Sequence, residues 1–262
     1  MEIVLTNDDG IWAIGLRTLY KSLINAGHQV HVIAPLTEQS AVGHAVTLSN
    51  PIRIKYVKNS NFQGIGVSGT PVDCVKLALT KILKNPPDLL VSGINNGANV
   101  GVDILYSGTV AAATEAALAG VSALAVSIDN FSPTDLNDQA EFVCRLIKKI
   151  DWEKFKNRVL NLNFPDLPLN KVKGIKVCPQ TQAIYKDWYE ERVDPRGKPY
   201  FWLCGYIPEE NLSPKSDRAY LSKGYITLTP LNFDFTDKKL ISKLQIEISN
   251  TFCNEENILT VD

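Results

Sequence analysis

The sequence predicts an α/β fold: a mostly parallel sheet flanked by helices, with a projecting β-hairpin arm and a C-terminal extension. Three observations point there. Unbroken apolar runs such as Ile3-Val4-Leu5 and Leu89-Leu90-Val91 have the composition of strands buried on both faces, as a parallel sheet requires. They alternate with segments of helical periodicity, of which Leu16, Leu19, Tyr20 and Leu23 are the first. The apolar runs exit into stretches rich in Asp, Asn, Ser and Gly, where doubly wound folds place their ligands.

In 262 residues there is room for one large domain or two modest ones, with ample apolar content for a core. The organisation expected is a single domain, with core segments 1–178 and 224–248, an arm at 179–223 and a loose tail at 249–262. Lys and Arg total 27 against 28 Asp and Glu, so no electrostatic footprint for a nucleic-acid polymer or an anionic membrane is present. Five scattered cysteines, Cys74, Cys144, Cys178, Cys204 and Cys253, include no Cys-x-x-Cys pair and suggest reduced thiols in the cytoplasm. Neither a signal peptide nor a membrane span is expected.

The first strand runs into Thr6-Asn7-Asp8-Asp9-Gly10. Adjacent carboxylates repel unless a cation or donors relieve them, and a hard divalent metal is the simplest relief. Asn, Asp and Gly are also common turn and cap residues, so the stretch alone does not decide. A helix over 12–26 stops at Gly27, and 28–35 forms the second strand, completing a right-handed βαβ unit. The polar loop 36–50 follows, carrying Glu38-Gln39-Ser40 and Gly43-His44. Short strands are expected at 52–57 and 65–68. Next, Thr70-Pro71-Val72-Asp73 reads as a helix start in which Asp73 caps.

That helix ends before Asn85-Pro86-Pro87, and the strand 88–92 exits into the richest loop, 93–109. There Asn95 and Asn96 supply neutral oxygens, and Ser107-Gly108-Thr109 opens an alanine-rich helix whose free amides suit a phosphate. Ser107 or Thr109 as a simple N-cap is compatible with that role. A strand at 122–128, a helix at 136–150 and strands at 159–164 and 174–178 come next. Asp194-Pro195-Arg196-Gly197 joins two aromatic segments into a hairpin, for which both a subunit contact and folding back on the core are open. A strand at 224–230 and an amphipathic helix at 237–248 complete the order.

Three loops at one sheet edge therefore bring Asp8 and Asp9, then Ser40, then Asn95, four oxygen donors suited to a hard cation. His44 could serve as a general acid or stand by as a solvated loop residue. The segments Thr6 to Gly10, Glu38-Gln39-Ser40 to Gly43-His44, Gly69-Thr70-Pro71-Val72-Asp73-Cys74-Val75-Lys76, and Ser92-Gly93-Ile94-Asn95 through Ser107-Gly108-Thr109-Val110 closely resemble the SurE family of metal-dependent survival-protein nucleotidases. The resemblance covers nearly the whole chain in order. Departures are Leu36-Thr37, where an Asp-Arg-like pair is usual, the bulky Trp12, and Ile14 in place of a proline.

The resemblance implies a Rossmann-like core and a phosphoric monoester hydrolase acting on nucleoside 5′-monophosphates, with side activity on 3′-nucleotides or short polyphosphate. It implies one divalent cation per subunit, Mg2+ or Mn2+, on Asp8, Asp9, Ser40 and Asn95, with Asp8 and Asp9 also catalytic. Asn96, Ser107, Gly108, Thr109, Gly43 and His44 are expected around the phosphate and substrate. Homodimers or homotetramers through the arm and C-terminal segment are implied as well. Two rivals follow from acids after a first strand. Haloacid-dehalogenase phosphatases use Asp-x-Asp, whereas here the acids are adjacent. Receiver domains need a phosphoacceptor Asp at a later strand end, where this chain has Asn95.

Overall fold

A computed structural model describes residues 1–252, in two compact units, 1–231 and the segment beginning at residue 232. Within the first unit, nine strands form one sheet. In chain order these are β1 (Glu2–Thr6), β2 (Gln29–Pro35), β3 (Ile54–Asn59), β4 (Phe62–Val67), β5 (Leu89–Asn96), β6 (Ala123–Ile128), β7 (Val159–Phe164), β8 (Ile175–Val177) and, after the hairpin strands β9 (Lys186–Val193) and β10 (Pro199–Tyr206), β11 (Ile226–Leu231). The order across the sheet is β3-β4-β2-β1-β5-β6-β7-β11-β8, and the six strands from β4 to β7 are mutually parallel. Only the β3–β4 and β7–β11 pairings of this sheet are antiparallel.

The apolar runs explain the centre. Ile3, Val4 and Leu5 of β1 and Leu89, Leu90 and Val91 of β5 are fully buried, because helices cover both faces of the sheet. Helix α1 (Ile14–Asn25) turns Leu16, Leu19, Tyr20 and Leu23 inward, the stripe its sequence spacing predicts. Each such side chain contributes about 1.5–3 kcal/mol relative to exposure. Helix α2 (Pro71–Leu77) begins with a complete capping box between Thr70 and Asp73 and runs on into a wide π turn at Ala78–Ile82. Helices α3 (Gly108–Leu118) and α4 (Asn137–Lys149) follow β5 and β6.

Sheet order makes β1 the pivot. The chain leaves β1 for β2 on one side, and β5 pairs with β1 on the other. The crevice at the carboxyl ends of β1 and β5 is thus a topological switch point, the usual binding place in open α/β sheets.

Within 179–223, β9 and β10 pair as the expected antiparallel hairpin, with Trp188, Tyr189, Phe201, Trp202 and Tyr206 exposed. The same stretch also holds an unanticipated helix, α5 (Asp217–Ser222), whose Asp217 is completely buried. The second unit contains α6 (Lys238–Phe252). The tail expected at 249–262 lies largely outside the described residues. Among those described, no helix is long and apolar enough to cross a membrane.

Candidate active site

The cleft is built by stitching three loops to the end of β1. Asn7 donates from Nδ2 to the Gly10 carbonyl at 3.0 Å, closing the turn that presents Asp8 and Asp9. The Gln39 amide donates to the Asp8 carbonyl at 2.8 Å, and the Ile11 amide to the Pro35 carbonyl at 2.8 Å. These bonds bring the loop after β2, with Glu38 and Ser40, beside the paired acids. On the other side, β5 shifts register against β6 between Ser92 and Asn95, and the ladder resumes with Asn95 opposite Ser127 and Asn96 opposite Ile128, both at the cleft. The α1 backbone packs directly on this irregularity. A Cβ at Gly15 would stand 1.9 Å from the Ile94 carbonyl oxygen, so only glycine fits there.

Together these loops enclose a cleft of about 500 Å3, lined by Asp8, Asp9, Glu38, Ser40, Asn95, Asn96, Asn99, Asp103, Tyr106, Ser107 and Phe131. Asp8 is buried and braced from below by α3. The Thr109 amide donates to Asp8 Oδ2 at 3.0 Å, and the Thr109 hydroxyl donates to Oδ1. Gly108 permits this approach, because a Cβ there would lie 2.8 Å from Asp8 Cβ. Asp9 has less support, a single 3.3 Å bond from the Asn96 amide to Oδ2.

Burial pushes the Asp8 carboxyl above its ordinary range despite the Thr109 bonds. Burial, then the neighbouring Asp8 charge, pushes Asp9 up to about 7. The fold thus holds two acids close together in a poorly solvated place and only partly relieves their charge.

The neutral donors complete the picture. Asn95 spends its amide nitrogen on the Gly97 carbonyl at 2.7 Å and the Asn96 carbonyl at 3.3 Å. Asn96 Oδ1 is buried and has no hydrogen-bond partner among the described residues. Ser40 lies at the exposed rim, its hydroxyl donating to Glu38 Oε1 at 2.6 Å. All these donors are oxygens, and two carboxylates with neutral oxygens suit a hard divalent cation. Among the described residues, no cluster of three or more His, Cys, Asp and Glu offers a competing metal site.

The structure therefore brings Asp8, Asp9, Ser40, Asn95, Asn96 and Ser107 to one cleft. Gly108 and Thr109 sit directly against Asp8 and do not line the cleft, and the Ser107 hydroxyl caps α3 by accepting from the Val110 amide at 3.0 Å. Gly43 and His44 are not in the lining either. The Gly43 amide donates to the Tyr106 carbonyl at 2.9 Å, and His44 Nε2 lies 3.0 Å from Glu115 Oε2 on α3. Glu115 also meets Lys76 Nζ at 2.5 Å, and the bonds from His44 and Lys76 hold its carboxyl low.

Sequence reasoning missed the floor of the cleft. Asn161 and Asn163 of β7 each donate from Nδ2 to the Asn99 carbonyl, at 2.8 and 3.2 Å. Asn163 Oδ1 accepts from the Asn99 amide at 2.8 Å. The signal was available, since two amides at alternate positions of a buried strand point to the same face. The Asp103–Arg218 ion pair at the cleft and the buried Asp217, which accepts from the Gly101 and Thr181 amides at 2.8 Å, carried no local signal.

A Rossmann-like α/β protein with an acidic, oxygen-lined crevice at the switch point is the class these features define. The family model described as Survival protein SurE matches residues 3–187, and the chain belongs to that family. It is 58% identical over 245 residues to a protein named 5′-nucleotidase SurE from Nitratidesulfovibrio vulgaris, covering 93% of this chain and 91% of the relative. A namesake from Maridesulfovibrio salexigens is 56% identical over 246 residues, covering 94% and 98%. The crystal structure of the SurE protein from Aquifex aeolicus superposes with a TM-score of 0.79 at 32% identity, covering 94% of this chain and 99% of that one.

Proposed function

We propose that this chain is a metal-dependent phosphatase that hydrolyses nucleoside 5′-monophosphates to nucleoside and phosphate. The observation that carries the reading is the convergence of Asp8 and Asp9 after β1, Ser40 in the loop after β2 and Asn95 near the end of β5 on one cleft. The relatives named 5′-nucleotidase SurE support the substrate class.

Asp8 and Asp9 would hold one divalent cation, Mg2+ or Mn2+, with Ser40 and Asn95 contributing neutral oxygens. When bound, the cation supplies charge that polarises a phosphoryl group and acidifies water. Asp8, with both oxygens accepting from Thr109, is suited to hold and orient rather than to attack. Asp9, held by one long bond, is the acid free to take a proton from water at Oδ1. Ser107 at the start of α3 and Asn96 would orient the phosphoryl oxygens, and the α3 dipole favours their negative charge. Gly108 and Thr109 serve this arrangement by placing Asp8, whereas His44 is engaged with Glu115 outside the cleft lining.

The chain is further read as one SurE-like domain with the 179–223 arm and the C-terminal segment joining copies into a dimer or tetramer. Free thiols at Cys74, Cys144, Cys178 and Cys204 fit residence in a reducing cytoplasm.

Phosphate release from a panel of mononucleotides tests the assignment. Activity is expected with Mn2+ or Mg2+, lost on chelation and restored by adding metal back. Turnover that survives chelation, or no release from any mononucleotide, would overturn it.

A further inference from the structure

A second cavity, larger than the acidic cleft, opens elsewhere in the first unit. It has a volume of about 920 Å3, within the ~300–1,000 Å3 typical of small-molecule sites, and lies between α1 and the tip of the β3–β4 hairpin. Its chemistry is the opposite of the cleft's. Arg17, Lys21 and Lys58 line it, and no Asp or Glu does. None of the three cations forms an ion pair among the described residues. In a chain whose net charge is −1, three unneutralised cations around one concave surface form a local anion trap.

An aromatic shelf completes it. Phe62 is buried, with the Tyr20 ring edge-on at 5.1 Å and the Arg17 guanidinium 5.9 Å from its centroid. Against this base stands Trp12, its ring centroid 6.0 Å from that of Phe62, with half of its surface open to solvent. An indole backed by a fixed ring and open on its outer side is a stacking platform for a flat heterocycle.

We propose that this cavity is a second ligand site that takes a nucleoside di- or triphosphate, with the base on Trp12 and the phosphates among Arg17, Lys21 and Lys58. Cations alone would suit any polyanion, and an open indole alone would suit any flat ring; their placement around one cavity selects a ligand carrying both. The site adjoins the cleft without merging with it. Ala13 lines the cleft, whereas Trp12 and Ile14 on either side of it line the cavity. The Ala13 amide donates to the Gly10 carbonyl at 3.0 Å, so Trp12 sits in a turn that directly follows Asp9 and Gly10 in the chain.

The test is calorimetric titration of the full-length, metal-loaded protein with a hydrolysis-resistant methylene analogue of a nucleoside triphosphate. Saturable binding is expected. It should weaken by about tenfold or more in the Lys21→Ala/Lys58→Ala double variant and in Trp12→Ala, and persist in Asp9→Asn. The bare nucleoside and inorganic triphosphate should each bind at least about tenfold more weakly than the analogue. Because both lysines and Trp12 are exposed, these variants should fold, and a melting curve matching the parent checks that. No binding at millimolar analogue would overturn the proposal, as would binding lost in Asp9→Asn but kept in the lysine variant. Equal affinity for inorganic triphosphate or for the bare nucleoside would overturn it too. None of these outcomes depends on whether the acidic cleft hydrolyses mononucleotides.

Discussion

Two aspartates at two helix starts have opposite fates. Asp73 closes the capping box of α2 and accepts from the Thr70 amide at 2.9 Å, the Thr47 amide at 3.0 Å and the Thr47 hydroxyl at 2.5 Å. Burial pushes its carboxyl up, but the bonds from Thr47 and Thr70 outweigh that and hold it below the ordinary value. Asp8 meets α3 in a similar way, through the amide and hydroxyl of Thr109, yet burial wins and its carboxyl is raised. The difference lies in what else surrounds each acid. Asp73 accepts from both Thr47 and Thr70, whereas Asp8 accepts from the amide and hydroxyl of Thr109 and burial weighs more heavily on it. A buried acid the protein has fully satisfied is structural; one it has left partly unsatisfied is prepared for something from outside.

Variants can break that contrast. The largest effect is expected from Asp8→Asn: phosphate release from a nucleoside monophosphate should fall by about a hundredfold or more, since a ligand and a positioned charge go together. The melting temperature of the metal-free variant should stay level or rise, because a buried charge is removed. A variant that melts lower and retains its turnover would make Asp8 a second Asp73. Next, Thr109→Val should weaken Mn2+ binding about ten- to hundredfold by releasing one side of Asp8, and Thr109→Ser, which keeps the hydroxyl, should restore most of it. Titration with the metal reads both.

Asp73→Ala should show the reverse signature. Loss of the cap should cost about 1–2 kcal/mol, read as a lowered melting temperature, with metal affinity little changed. Its linkage has a definite sign. Since the folded carboxyl is depressed, its stabilisation is present above the unfolded value near 3.8 and is lost as pH falls through the folded value. The gap in stability between parent and Asp73→Ala should therefore close as the solution is acidified below pH 3.8. The smallest effect is expected at Ser40→Ala. Its exposed hydroxyl should matter to stability by no more than about 0.5 kcal/mol, and turnover should fall less than in Asp8→Asn.

The same pair of acids marks what could be read from the chain. The role of Asp73 was legible because Thr70, Pro71 and Asp73 are neighbours, and a cap is a local device. The fact that Asp8 and Asp9 end a buried strand was legible from Ile3, Val4 and Leu5. What braces Asp8 was not, because Thr109 lies 101 residues away and the helix start at Ser107-Gly108-Thr109 reads equally well as an open anion seat. Its amide and hydroxyl are instead committed to a carboxylate of the protein itself. Helix α5 escaped for a related reason. It is short and sits in polar sequence, and the value of Asp217 comes from the Gly101 and Thr181 amides it ties together, a contact that no period in the sequence announces.

The two amides of β7 that grip Asn99 have a consequence for binding. Their donors arrive from the interior of the sheet, so the loop beneath the cleft is set when the sheet forms. Its conformational freedom is given up during folding, and an arriving substrate does not have to supply that ordering again. Loosening Asn161 or Asn163 would therefore be felt as weaker capture of substrate, in a molecule whose acids and helix start had not moved.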